Sequence, residues 1–299
     1  MSELSFDDLQ AARASHPERI AELQSSRRRR PLLREDGKLF IIAVDHPARG
    51  ALGIRQDPLA MANRYDLLSR IVTALSVPGV DGVLGTPDIL EDLLLLGALD
   101  DKIAVGSMNR GGLRGASFEM DDRFTAYTAA SIVRARFDFA KLLLRVDLND
   151  AGSAATLEAS ARAVSEAADL QLPIMLEPFM STRTASGIVN DLSTEAVINS
   201  VSIASGLGTS SAYSWLKLPV VPEMERVMEA TTLPTLLLGG EPGEDQDANY
   251  ENWSNALALP GVRGLVVGRA LLYPASGNVV DAVSTAASLV HGGVLAVAR

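Results

Sequence analysis

The sequence predicts an α/β chain that closes into a (β/α)8 barrel with an extra N-terminal helix, and three observations carry that expectation. Past residue 30, short apolar runs of strand length alternate with stretches of helical periodicity, the sign of repeated βα units and a parallel sheet. Eight such runs can be counted, and no second pattern interrupts them. The first run ends in Asp45-His46-Pro47-Ala48, with none of the glycines that a dinucleotide-binding open sheet places there, so a doubly wound sheet is the weaker alternative.

In chain order, Phe6 to Leu23 reads as one helix, followed by Ser25-Ser26 and the run Arg27 to Arg30. Four arginines in an acidic chain read as a solvated linker rather than a phosphate or nucleic-acid patch. Residues 1–30 are thus expected to be a helical extension and linker, and 31–299 the barrel. The first strand is Leu39 to Val44, and Met61, Tyr65, Leu68, Ile71 and Leu75 then recur at helical spacing. Gly82-Val83-Leu84 is the second strand, and Pro87 opens the helix after it. The third, Ile103 to Gly106, runs into a flexible basic loop, Asn109 to Gly115. Phe139 to Val146 is the fourth, with Leu157, Ala161, Val164 and Ala168 marking the next helix. Ile174 to Glu177 is the fifth, Tyr213 to Val221 the sixth, Thr235 to Leu238 the seventh and Gly264 to Val267 the eighth.

Composition narrows the function. At 299 residues and 47% hydrophobic the chain can bury a large core. A net charge of -10 argues against nucleic acid or an anionic membrane as partner. There are no cysteines, which excludes disulfides, thiolate catalysis and zinc-thiolate sites. The three histidines, His16, His46 and His291, are scattered, so no imidazole-built metal site is expected, although an all-carboxylate magnesium site stays open. No cofactor is expected. An acidic N-terminus without a signal core and the lack of a long apolar run make the expected location the cytoplasm. A homo-oligomer is compatible with all of this.

The chemistry is concentrated at strand ends. Lys217 sits inside the apolar sixth strand, where desolvation favours a neutral, nucleophilic amine able to form a Schiff base. The plain alternative is a lysine whose ammonium snorkels to water. On the fourth strand a period of two puts Lys141, Leu143, Arg145 and Asp147 on one face and Leu142, Leu144 and Val146 on the other. The apolar set must meet the helices, so the charged set points into the barrel. Alternate strands feed the same interior layers, which brings Lys141 near Lys217 as a second cation. Glu177 between them can move protons, and Asp45 can hold the substrate hydroxyl whose proton leaves as a carbon–carbon bond breaks. A buried ion network serving stability alone is the competing reading, but such networks are costly to desolvate, so an interior with two lysines, an arginine and three acids is more economically explained by a site. Gly239-Gly240 and Gly268-Arg269, where the seventh and eighth strands end, form the usual phosphate corner of such barrels, with Arg145 and Asp147 as further substrate contacts. Glu241 beside the first pair favours ordinary turn glycines instead.

These residues carry a resemblance that spans about Phe40 to Pro274. Ala43-Val44-Asp45 with Arg49-Gly50-Ala51-Leu52, Ala140-Lys141-Leu142-Leu143-Leu144, Leu176-Glu177, Leu216-Lys217 and Val267-Gly268-Arg269 resemble the class I, Schiff-base aldolases of the fructose- and tagatose-bisphosphate group. The resemblance implies Lys217 as Schiff-base lysine, Lys141 as its cationic partner, Glu177 as acid/base and Asp45 as hydroxyl-binding carboxylate. His46-Pro47-Ala48 separates Asp45 from Arg49 by more residues than in tagatose-bisphosphate aldolases. The chain is more similar still to an actinobacterial barrel family associated with inositol breakdown, for which the implied reaction is cleavage of 6-phospho-5-dehydro-2-deoxygluconate. Two readings from other classes stand beside the lyase. One is a sugar-phosphate isomerase or epimerase with Glu177 as base; the other is a non-catalytic sugar-phosphate-binding barrel.

Overall fold

The computed structural model describes residues 5–185, 187–240 and 246–292, so Glu241 lies outside the described residues. Along β1 (Leu39–Ala43), Leu39, Ile41 and Ala43 pack in one apolar cluster while Phe40 and Ile42 pack in another. The period of two continues through β2 (Gly82–Gly85), β3 (Ile103–Ser107), β4 (Phe139–Val146) and β5 (Ile174–Thr184). After the short β6 (Gly187–Asn190) come β7 (Ser214–Pro219), β8 (Thr235–Leu238) and β9 (Val262–Val267). The sheet runs β4-β3-β2-β1-β9-β8-β7-β5, and parallel pairing of β4 with β5 closes it. Only β6 is antiparallel, a hairpin on the end of β5. The fold is a closed, eight-stranded TIM barrel. Phe139, Met175, Trp215 and Leu236 fill its lower interior, while Leu142, Leu144 and Val146 face the helices.

Helices α1 (Leu9–Ser15) and α2 (Glu18–Ser26) precede the barrel. The single helix expected over Phe6 to Leu23 is broken at His16, because Pro17 lacks the N–H that a continuous helix needs there. The outer layer is α3 (Arg64–Ser76), α4 (Pro87–Leu95), α5 (Ala129–Arg134), α6 (Gly152–Asp169), α7 (Thr194–Ser205), α8 (Met224–Glu229), α9 (Gln246–Leu257), α10 (Arg269–Leu272) and α11 (Val279–His291). Among the described residues no helix is long and apolar enough to cross a membrane.

The arginine run is not a solvated linker. Arg27 is 4% exposed and donates to the carbonyls of Lys102 and Arg136 and to Asp138. Arg29 holds the other oxygen of Asp138 at 2.8 Å, and Arg30 and Arg34 hold Asp81. Asp81 and Asp138 stand just before β2 and β4, where each also accepts a backbone amide of a neighbouring strand, Phe40 and Ala104 respectively. Two buried carboxylates at the base of the barrel need counter-charge, and the arginine run supplies it. Arg28, paired with Asp100 and Asp101, lies largely in water, and Arg29 is partly exposed.

Candidate active site

The opposite, C-terminal ends of the strands carry the second network. Inward residues of β4, β5 and β7 converge: Lys217 Nζ donates to Glu177 Oε1 at 2.6 Å, and Lys141 Nζ pairs with Glu177 Oε2. Lys141 also donates to Asp45 Oδ2, at the end of β1, at 3.2 Å. The structure thus brings Lys217, Glu177, Lys141 and Asp45 into one chain of alternating charge. Lys141 is fully buried, directly opposite Ser107 on β3. Burial and the Arg110 guanidinium lower its pKa to about 8, against the pull of Asp45 and Glu177. Burial would raise Glu177, but Lys141 and Lys217 outweigh it and hold the carboxyl well below its ordinary range.

Arg110 completes the network. It lies at the start of the basic loop after β3, is 5% exposed, and donates Nε to Asp45 Oδ2 at 2.9 Å. Ser107 Oγ donates to the same oxygen at 3.0 Å. Burial works to raise Asp45, but Arg110 and Lys141 prevail and keep it well below the usual carboxylate range. Sequence reasoning treated Arg110 only as part of a flexible loop. Its signal was position: a basic residue directly after an inward-facing strand end. The loop is fixed there by Asn109, whose amide donates to the Leu143 carbonyl and accepts from the Leu143 N–H, both at 2.6 Å, in the manner of a strand partner.

Above this network opens a cavity of about 660 Å³. Lys217 and Glu177 line it, whereas Lys141 and Asp45 lie beneath the lining. Gly239, Gly240, Gly268 and Arg269 line its β8–β9 side. The glycines also have packing reasons: a Cβ on Gly268 would stand 2.0 Å from the Ala43 carbonyl oxygen, and one on Gly239 would stand 2.4 Å from Val267 Cγ1. Arg49, Arg110 and Arg114 line the side that belongs to β1 and β3. Burial, then Arg145 and Arg110, push the pKa of Arg49 down to about 10; the nearest carboxylate, Glu119, is 3.8 Å away. The chain is acidic overall, yet this wall is cationic, which suits an anionic ligand.

Arg145 and Asp147 are placed differently from the lysines. Arg145 lines the cavity, but its guanidinium is spent on Asp122, Glu119 and the Gly112 carbonyl, so it clamps the loop that carries Arg110. Asp147 does not line the cavity. It accepts from the backbone of Asn149 at 2.9 Å and of Arg183 at 3.1 Å, pinning the β5–β6 hairpin that forms another wall. Two further residues are not site groups in the sequence reading: Ser107, and His46, which enters there only in the histidine count and in the spacing after Asp45.

Comparisons with known proteins agree with this architecture. No curated protein matches the chain. Among solved structures, the Corynebacterium glutamicum protein Cgl0159 is 65% identical, with a TM-score of 0.94 over 97% of this chain and 98% of that one. An archaeal fructose 1,6-bisphosphate aldolase superposes with a TM-score of 0.68 at 18% identity, over 92% of this chain and 100% of that one. A fructose-bisphosphate aldolase of Slackia heliotrinireducens gives 0.59 at 13% identity, over 98% of this chain and 94% of that one. At these identities the aldolases share the barrel, and the likeness speaks to fold. The family model described as Cgl0159-like matches residues 37–287, and this chain belongs to the Cgl0159-like family.

Proposed function

We propose that the chain is a class I, metal-independent aldolase that cleaves a phosphorylated ketose or keto-acid to dihydroxyacetone phosphate and an aldehyde. The observation that carries this reading is the unequal placement of the two buried lysines. Lys217 lines the cavity with its amine on Glu177, while Lys141 is sealed behind the same carboxylate.

As a free amine, Lys217 attacks the ketone carbon, and the carbinolamine loses water to become an iminium ion. The proton needed to expel that water is at hand on Lys141, whose pKa of about 8 lets it give and regain a proton near neutrality. Glu177, hydrogen-bonded to both amines, connects them. When the carbon–carbon bond breaks, its electron pair moves into the iminium to give an enamine, and the hydroxyl proton passes to Asp45. The aldehyde leaves; protonation of the enamine carbon and hydrolysis of the imine release dihydroxyacetone phosphate and restore Lys217. Gly239, Gly240, Gly268 and Arg269 take the phosphate, with bare amides and one guanidinium.

We further infer that 6-phospho-5-dehydro-2-deoxygluconate, as in inositol breakdown, is the substrate. It is anionic at both ends, and the support is a cavity cationic on two sides, Arg269 on one and Arg49 with Arg114 on the other. An isomerase needs a free base, but both oxygens of Glu177 are taken by lysines. The test is a panel of phosphorylated ketoses assayed for dihydroxyacetone phosphate. Release from 6-phospho-5-dehydro-2-deoxygluconate is expected. An isomerised six-carbon product would turn the assignment to an isomerase, and binding without turnover to a sensor.

A further inference from the structure

Two buried polar atoms, one on a residue that lines the cavity and one just beneath that lining, have no hydrogen-bond partner among the described residues: His46 Nδ1 and Asp45 Oδ1. They face each other at 3.9 Å, too far for a hydrogen bond. An oxygen about 2.8 Å from each closes the triangle they leave open. That oxygen must donate to the carboxylate and accept from an imidazole N–H, as a hydroxyl group or a water does. The other Asp45 oxygen is saturated by Ser107, Arg110 and Lys141, so Oδ1 is the one left to receive a proton. His46 lines the cavity with its side chain 20% exposed, on a short 3-10 turn, His46–Arg49, stiffened by Pro47.

We propose that His46 is a further catalytic residue, whose Nδ1–H holds the oxygen of the substrate hydroxyl while Asp45 Oδ1 takes that hydroxyl's proton. The inference rests on the aldolase reading above and extends it to the aldehyde half of the substrate. In the cleavage step the O–H pair becomes the second bond of the new aldehyde carbonyl, the proton goes to Asp45, and the carbon–carbon pair goes to the iminium. His46 keeps its proton throughout. Its N–H hydrogen bond follows the oxygen from hydroxyl to carbonyl, and in the condensing direction it polarises the aldehyde for attack by the enamine. A neutral imidazole suits this task as a fixed dipole that donates without surrendering its proton. Burial, then the Arg269 guanidinium, hold His46 neutral by pushing its pKa well below the ordinary range, against the pull of Asp45.

The test separates the two nitrogens and the two halves of the reaction. His46→Asn puts an amide N–H where Nδ1 stands, His46→Gln puts one nearer Nε2, and His46→Ala removes both. Release of dihydroxyacetone phosphate from 6-phospho-5-dehydro-2-deoxygluconate should fall about 10² to 10³-fold in the alanine and glutamine variants, and about tenfold or less in the asparagine variant. Borohydride trapping of dihydroxyacetone phosphate alone should stay within about twofold of the parent in all three, because imine formation does not use the aldehyde side. Parent-like cleavage by His46→Ala overturns the proposal. Rescue by glutamine rather than asparagine overturns the Nδ1 assignment. Trapping that falls in step with cleavage assigns His46 a structural role instead. A parent that forms no trappable imine removes the aldolase reading itself, and this inference with it.

Discussion

Each end of the barrel carries a buried network of charge, one held by arginines and the other centred on two lysines with Arg110 beside them. At the base, Asp81 and Asp138 have both carboxylate oxygens engaged, by arginines, by backbone amides and by His291. At the mouth the cations that meet Glu177 are lysines, one acceptor oxygen is left over on Asp45, and a cavity opens above. Arginine holds its proton at any ordinary pH and forks onto a carboxylate, so a saturated arginine network is a fastener. Lysine can lose its proton when buried, so a lysine network with vacant valences is equipped for chemistry. Burial of charge does not by itself mark a site; the identity of the cation and the unpaired acceptor do.

The largest expected effect is at the mouth. Lys217→Met should reduce cleavage at least about 10⁴-fold per folded molecule, since among the described residues no other amine lines the cavity to form the imine. The matching change at the base, Asp138→Asn, should do the reverse. It strips charge from the partner of two arginines and is expected to cost about 3 to 5 kcal/mol in denaturant unfolding, with turnover per folded molecule unchanged. A folded Asp138→Asn protein that has lost its chemistry would break the division between the two ends.

Next in size is the proposed phosphate corner. Arg269→Ala should weaken binding of phosphorylated substrate about ten- to a hundredfold and alter the bound-state rate far less. An unchanged apparent affinity would move the phosphate to Arg49 and Arg114.

Smaller, but opposite in sign at the two ends, is the pH dependence of stability. Burial disfavours the charge on His291, yet Asp81 and Asp36 outweigh it and raise its pKa above 6.5. The folded state therefore binds the extra proton, and the stability His291 contributes is complete below 6.5 and lost as pH rises through its folded value. Lys141 runs the other way. Its pKa falls from 10.5 to about 8 on folding, so between those values the unfolded chain binds more protons and stability rises with pH. Denaturation midpoints across this range should lose the falling limb in His291→Gln and the rising limb in Lys141→Met. The two limbs surviving in both variants would contradict the assignment. Smallest of all, chelation by EDTA should leave turnover unchanged, and metal-restorable loss would sink the metal-free mechanism.

Much of this was legible in the sequence because it follows from periodicity. The eight parallel strands fall where apolar runs predicted them, within a few residues at their ends except for the C-terminal end of β5, and Lys141 shows itself by facing the wrong way for an apolar strand. The extension of β5 to Thr184 and its hairpin β6 were missed, because Ser181, Thr182, Arg183 and Thr184 lack an apolar stripe. The arginine run was misread because composition counts charges without their partners. Asp81 and Asp138, each an acid directly before an apolar strand, were the available sign of what the arginines would meet. Arg110 was hidden for another reason: a loop path that no periodicity encodes brings it to Asp45, and the side chain of His46, next to Asp45 in the chain, is set by the short turn His46–Arg49.

The account depends most on which of two lysines, bound to the two oxygens of one carboxylate, is the nucleophile. Borohydride reduction in the presence of dihydroxyacetone phosphate, followed by peptide mapping, decides it directly. A single adduct on Lys217 is expected, with loss of activity in proportion to its formation. An adduct on Lys141, or full activity with no adduct, would contradict it.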